Sequence, residues 1–201
     1  MRSIRAGLLA LIAGVALVAC GPTYRDGPPA PEAGEIAALA TAIRDLGPDV
    51  APDEAQAAAR IAYLHPLELA ERYRITDPPI VHNMKVNAGT RPRGLCWHWA
   101  EDLERRLARE GFATLELHRA IANHDKPLRI EHSTVIVSRA GATMASGIVL
   151  DPWRWGGRLY WGAVTEDPDY EWWPRGEVFA WKRAREGRDA SDPSAEPLPG
   201  L

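Results

Sequence analysis

The sequence predicts an α+β domain in which helices come first and an antiparallel sheet follows. Two patterns carry this reading. Cys96, Trp99, Ala100, Leu103 and Leu107 recur at helical spacing over Leu95–Glu110, with Gly111 as a C-terminal stop. Strand-like runs then follow at Thr114–Ala122, His132–Ser138, Ala145–Leu150 and Arg158–Val164. They are separated by the turns Asn123-His124-Asp125, Ala140-Gly141-Ala142 and Gly156-Gly157, short enough for an antiparallel meander. Composition agrees: 201 residues, 46% hydrophobic and 25% charged, suit one globular domain.

In chain order, the N-terminus carries Arg2 and Arg5 and then an uncharged apolar run of 13 residues, Ala6–Val18. That is too short to span a bilayer and reads as a signal sequence. Gly21–Gly34 is rich in Pro and Gly and is expected to stay extended as a tether. Ile36, Leu39, Ala40, Ile43 and Leu46 form an amphipathic helix ended by Gly47-Pro48. Pro52-Asp53-Glu54 suits a first helical turn leading to Leu64, and Pro66 opens another run through Tyr73. Asp77-Pro78-Pro79 breaks the pattern, so Ile80–Asn87 is expected to be extended or irregular, followed by a loop through Gly89, Pro92 and Gly94. Glu186–Leu201 mixes charge and proline and has too little apolar surface to fold.

Charge and cysteine content exclude several functions. A net charge of −3 supplies no broad basic field for nucleic acid. Two cysteines cannot build a disulfide scaffold or a four-cysteine zinc module. A mixed site of Cys96, His98 and His132 lacks the usual ligand spacing. Asp167, Asp169 and Glu171 lack a calcium loop and read as an acidic surface turn. No metal or other cofactor is expected.

Cys96 stands in the first turn of the clearest helix, where free backbone N–H groups and the helix dipole favour thiolate and can stabilise an oxyanion. Gly94 before it permits close backbone approach. His132 opens a strand and is the candidate base; Asp151, at the end of Gly147–Leu150 where Pro152 is expected to stop the strand, is the candidate for orienting it. Asn83 and Asn87 precede the cysteine, and Asn87 is the candidate oxyanion donor. Trp97, Trp153 and Trp155 are candidate walls of a substrate groove, although core packing is the simpler role for many of the eight Trp, all of which lie between 97 and 181. His98 reads as a surface or packing residue. Taken singly, each member has a plainer role: a small buried thiol, a strand-start histidine, a turn aspartate.

Two resemblances sharpen these expectations. Leu17-Val18-Ala19-Cys20-Gly21 resembles the lipobox of bacterial lipoproteins, which implies cleavage before Cys20, lipidation of its sulfur and attachment to the membrane. Cys96 is then the remaining free thiol. Gly94-Leu95-Cys96 heading a helix, His132 on a strand 36 positions on, and Leu150-Asp151-Pro152 on the next strand resemble the transglutaminase-like branch of the papain-like cysteine enzymes. Ser133-Thr134 after the histidine and Trp153 after Asp-Pro depart from the family pattern and leave the substrate subclass open. The resemblance implies a transglutaminase-like fold with extra N-terminal helices, and a Cys96-His132-Asp151 triad that attacks amide bonds through a thioacyl intermediate. The substrate would be a protein or a peptidoglycan peptide, at the periplasmic face of the bacterial outer membrane. The resulting division is leader 1–19, lipidated tether 20–34, domain 35–182 and disordered tail 183–201. The alternatives are a non-catalytic scaffold or binding module on the same fold, and a redox-regulated thiol.

Overall fold

The structure is a computed structural model that describes residues 22–185. The leader, Cys20 and the tail beyond Arg185 lie outside these residues. The described chain is mixed α+β, with five α-helices and a five-stranded sheet whose pairings are all antiparallel.

Helix α1 spans Ala33–Arg44, its first turn held by the Glu32 N–H donating to Glu35 Oε2 at 2.9 Å. Helix α2 spans Pro52–Tyr73, with Pro52 and the acids Asp53 and Glu54 in its first turn. Contrary to expectation it runs on through Pro66. That residue forfeits one intrahelical bond, but Ala62, Leu69 and Ala70 around it are buried, and their packing outweighs the local break. Helix α3, Pro79–Asn87, replaces the expected irregular stretch: Pro79 sits where a missing N–H costs nothing, so Pro78-Pro79 starts a helix. Helix α4 is Cys96–Ala108.

Strands β1 (Leu115–Ala122), β2 (His132–Arg139), β3 (Ile148–Trp155), β4 (Arg158–Ala163) and β5 (Trp173–Pro174) are ordered β4-β3-β2-β1-β5. Ala145 belongs to a 3₁₀ turn, Met144–Ser146, so β3 starts later than expected. Pro152 does not end it either. The register shifts between Asp151 and Trp155, so the strand accommodates a residue without an N–H. Helix α5, Arg175–Arg185, was not expected and takes in three residues assigned to the tail. The N-terminal segment lacks regular structure from 22 to 24 but lies against the fold: a Cβ on Gly157 would meet Pro28 at 3.0 Å.

Leu39, Ile43, Ala58, Ala62, Leu103 and Leu107 from α1, α2 and α4 bury one sheet face with Val135, Val137 and Leu150. Ala120, Ala122, Ile136 and Val149 on the opposite face are covered by Met144 and Trp172. Glu54 fastens α2 to the entrance of β1, accepting from the Ala113 and Thr114 N–H groups at 2.7 and 2.8 Å. This packing sets the N-terminus of α4 beside the start of β2 and Trp153 of β3.

Candidate active site

Cys96 is the first residue of α4 and is 5% exposed. Three rings fix the loop that delivers it. His82 Nε2 donates to the Arg93 carbonyl at 2.9 Å, and Trp99 Nε1 donates to the Gly94 carbonyl at 3.0 Å. His98 Nδ1 accepts from the Gly94 and Leu95 N–H groups, both at 3.2 Å. His98 is thus a buried clamp on the helix N-terminus rather than a surface residue. Burial and Arg93 push its pKa down to about 4, which keeps Nδ1 an acceptor. Gly94 has φ +125°, and a Cβ there would meet His82 Nε2 at 2.4 Å. Arg93 reaches Glu101 at 2.9 Å and Asp102 at 3.1 Å, bracing the loop against α4.

His132 opens β2, and its Nε2 meets Asp151 Oδ2 at 2.6 Å with both side chains buried. Nε2 gives its hydrogen to Asp151, and Nδ1, the nitrogen that takes up or releases a proton, is buried without a hydrogen-bond partner in the described structure. Burial opposes charging of this imidazole, but the Asp151 carboxylate and the neighbouring Cys96 sulfur outweigh it and raise its pKa to about 9. Burial also opposes ionisation of Asp151, but His132 and Arg154 hold its pKa below the usual carboxylate range. Cys96 Sγ lies 3.7 Å from the Glu131 carbonyl, next to His132 in sequence. The three residues singled out from sequence therefore converge.

Sequence reasoning missed what supports them. Arg154 Nε donates to Asp151 Oδ2 at 3.1 Å, and its other nitrogens reach Asp167 at 2.7 Å and Asp169 at 3.2 Å. Asp167 is a fully buried ion-pair partner, not a surface acid, and also accepts from Trp172 Nε1 at 2.9 Å. The spacing of Arg154 three residues after Asp151 was visible, but its pairing with Asp167 depends on the return of the chain after β4. Around the imidazole stand Trp153, Tyr170 and Trp172, with centroids at 4.7, 4.6 and 5.4 Å. Tyr170 is held protonated, first by burial and then by the Asp151 charge.

The other candidates fare differently. Asn87 is exposed at the end of α3, with no hydrogen bond to the triad among the described contacts. Asn83, one turn earlier, accepts from Trp153 Nε1 at 3.1 Å. Trp153 is buried against His132, so it supports the imidazole. Trp97 follows the cysteine and stacks on His98 at 3.8 Å. Trp155 is 38% exposed and packs on Tyr160 in the β3–β4 hairpin. The N–H groups of Cys96 and Trp97 stand at the first two helical positions, where a helix supplies no acceptor for them. Among the described residues no group of three or more His, Cys, Asp and Glu side chains is arranged to hold a metal ion.

No protein-family profile, curated protein or solved structure matches the chain.

Proposed function

We propose that the chain is a cell-envelope lipoprotein, anchored through Cys20, whose transglutaminase-like domain carries out thiol-dependent acyl transfer from an amide of a protein or a peptidoglycan peptide. The observation that carries this reading is the His132–Asp151 bond at 2.6 Å, with the opposite imidazole nitrogen unpartnered and Cys96 Sγ 3.7 Å from the carbonyl of the preceding residue, Glu131. The proton of the Cys96 thiol rests on His132 Nδ1, leaving Sγ as a thiolate paired with the imidazolium, and Sγ attacks the substrate carbonyl carbon. The oxyanion lies against the α4 N-terminus. Collapse breaks the C–N bond, and the amine departs with the proton held by His132. Water then attacks the thioester, His132 taking its proton and returning it to sulfur, with release of the carboxylic acid. Asp151 fixes the tautomer and offsets the imidazolium charge throughout.

The test is the rate of iodoacetamide alkylation in a Cys20→Ser chain, where Cys96 is the single thiol, from about pH 5 to about pH 10. The expected result is a rate near neutrality at least about tenfold above that of His132→Ala, since removing the imidazolium removes a partner of the thiolate. Equal rates in two folded proteins would overturn the reading and leave a non-catalytic envelope module, the role that the almost complete burial of Cys96 and His132 favours second.

A further inference from the structure

Cys96 and His132 are almost completely buried, so an acyl substrate reaches them only if part of their cover moves. Three aromatic rings cover the imidazole: Trp153, Tyr170 and Trp172. Two of these are fixed. Trp153 is buried in β3, packs in one cluster with Tyr73, Cys96 and Trp99, and donates its indole N–H to Asn83 of α3. Trp172 is buried against Ala120, Ala122, Ile136 and Val149 of the sheet. Tyr170 is only partly buried, and it stands on a segment, 167–172, that belongs to no helix or strand.

That segment is an arch with two anchored feet. Asp167, its side chain fully buried, accepts from Arg154 Nη1 and Nη2 at 3.1 and 2.7 Å, and the Trp172 indole N–H closes the base by donating to the same carboxylate at 2.9 Å. Between the feet, the main chain of 168–171 makes no hydrogen bond to other backbone among the described residues; the Asp169 N–H donates to Asp167 Oδ1 at 3.0 Å. Asp169 and Glu171 are largely exposed on the arch, whereas Tyr170 turns inward. Its ring lies 4.6 Å from the imidazole, 5.2 Å from Trp172 and 4.7 Å from the Arg154 guanidinium. Burial, then the charges of Asp151, Asp169 and Cys96, keep its hydroxyl protonated against the opposing pull of Arg154, so the ring over the site is neutral.

A short loop with pinned ends, no main-chain ladder and one inward side chain opens by swinging that side chain, without disturbing the sheet. Arg154 grips Asp151 and the foot at Asp167, so the swing leaves the His132–Asp151 pair in place. What holds the arch shut is contact at its tip: the Tyr170 ring against the Arg154 guanidinium, and the Asp169 carboxylate accepting from Arg154 Nη1 at 3.2 Å. The other neighbour of the thiol, the 123–131 loop, is tied more firmly. The Lys126 N–H donates to the Asn123 carbonyl at 3.1 Å, the Asn123 amide to the Ile130 carbonyl at 3.2 Å, and the Glu131 carboxylate holds Lys182 at 2.5 Å. It forms a wall past which Tyr170 moves.

We infer that Tyr170 is a gate, shut in this structure over the Cys96–His132 pair, which swings out on residues 168–171 to admit the acyl substrate. This rests on the acyl-transfer reading for what is admitted, but access to the thiol is measurable without that chemistry. The full chain carrying Cys20→Ser is treated near neutral pH with iodoacetamide and with the much bulkier N-(1-pyrenyl)maleimide, each rate being divided by that of free N-acetylcysteine with the same reagent. On this scale the bulky reagent is expected to be about tenfold or more slower than iodoacetamide in the parent chain, because it requires the open gate. Tyr170→Ala is expected to remove most of that difference, and Tyr170→Phe to keep it, since the barrier is the ring and not the hydroxyl. Asp169→Ala, an exposed change that frees the tip from Arg154, is expected to shift the ratio in the same direction by about threefold.

A parent chain that reacts equally with both reagents has an open site and overturns the gate. So does an unchanged ratio in folded Tyr170→Ala, an equal change in Tyr170→Phe, or a Cys96 that stays unreactive in every variant. Should Tyr170→Ala fail to fold, an unchanged ratio in Asp169→Ala overturns it. If the ratio shifts as expected while His132→Ala alkylates as fast as the parent, the gate stands and the acyl-transfer reading falls. Alkylation that depends on His132 with a ratio indifferent to Tyr170 gives the reverse.

Discussion

Gly94 shows how one residue serves the site. Its φ of +125° is disfavoured for any residue with a side chain, and the space where a Cβ would stand is filled by His82, whose ring holds the adjacent Arg93 carbonyl. Gly94→Ala is expected to destabilise the protein by about 3 kcal/mol in urea unfolding, combining backbone strain with displacement of a buried ring. In a His82→Ala background the same change is expected to cost less, because the clash is gone and only the strain remains; fully additive losses would contradict this origin. The reactive types were legible at this scale: a cysteine heading a helix, a histidine opening a strand and an aspartate on the next one. His82, His98 and Arg154 were not, because their roles are hydrogen bonds to backbone or charge brought near only by folding.

Helix α2 carries the contact between the helical layer and the sheet. Ala55, Ala58, Ala59 and Ala62 are almost completely buried on it, and their small side chains let α1 and the sheet approach closely. Ala58→Leu is expected to destabilise by about 1–3 kcal/mol through overpacking, read as a lower urea midpoint at unchanged m-value. Ala57→Leu, on the open side of the same helix, is expected to change stability by less than about 0.5 kcal/mol. The period of apolar residues made α1, α4 and the four longer strands legible. It failed where proline was taken as a stop: Pro66 is carried by its buried neighbours, Pro79 starts a helix, and Pro152 sits in a register shift. Helix α5 has only Val178 buried, so its apolar signal was too thin to read.

Across the whole molecule, stability is linked to pH through the buried His132–Asp151 pair, which joins the first residue of β2 to the middle of β3. The imidazole has a folded pKa near 9 against 6.5 for the free group. A raised pKa means that the folded state binds the proton more tightly. The contribution is therefore complete below about pH 6.5 and lost progressively as pH rises through about 9. Urea unfolding is expected to show stability falling across that window, with a flatter profile in His132→Gln. A wild-type profile equally flat would mean that the imidazole is neutral when folded. The lowered Asp151 pKa acts at the other end, supplying stability above the normal carboxylate range that is lost on acidification.

The sequence by itself determined the α+β order, the period of the main helix and strands, and which three side chains have the chemistry to cooperate. These are properties of neighbours along the chain, where spacing translates directly into a shared helix face or strand side. Tertiary structure alone decided that Cys96 and His132 come together, that Arg154 and Asp167 support Asp151, and that Asn83 holds the Trp153 ring beside the imidazole. Each of these joins residues distant in sequence through burial and charge, and the energy of such contacts depends on which surfaces lose water together, a quantity no local pattern contains.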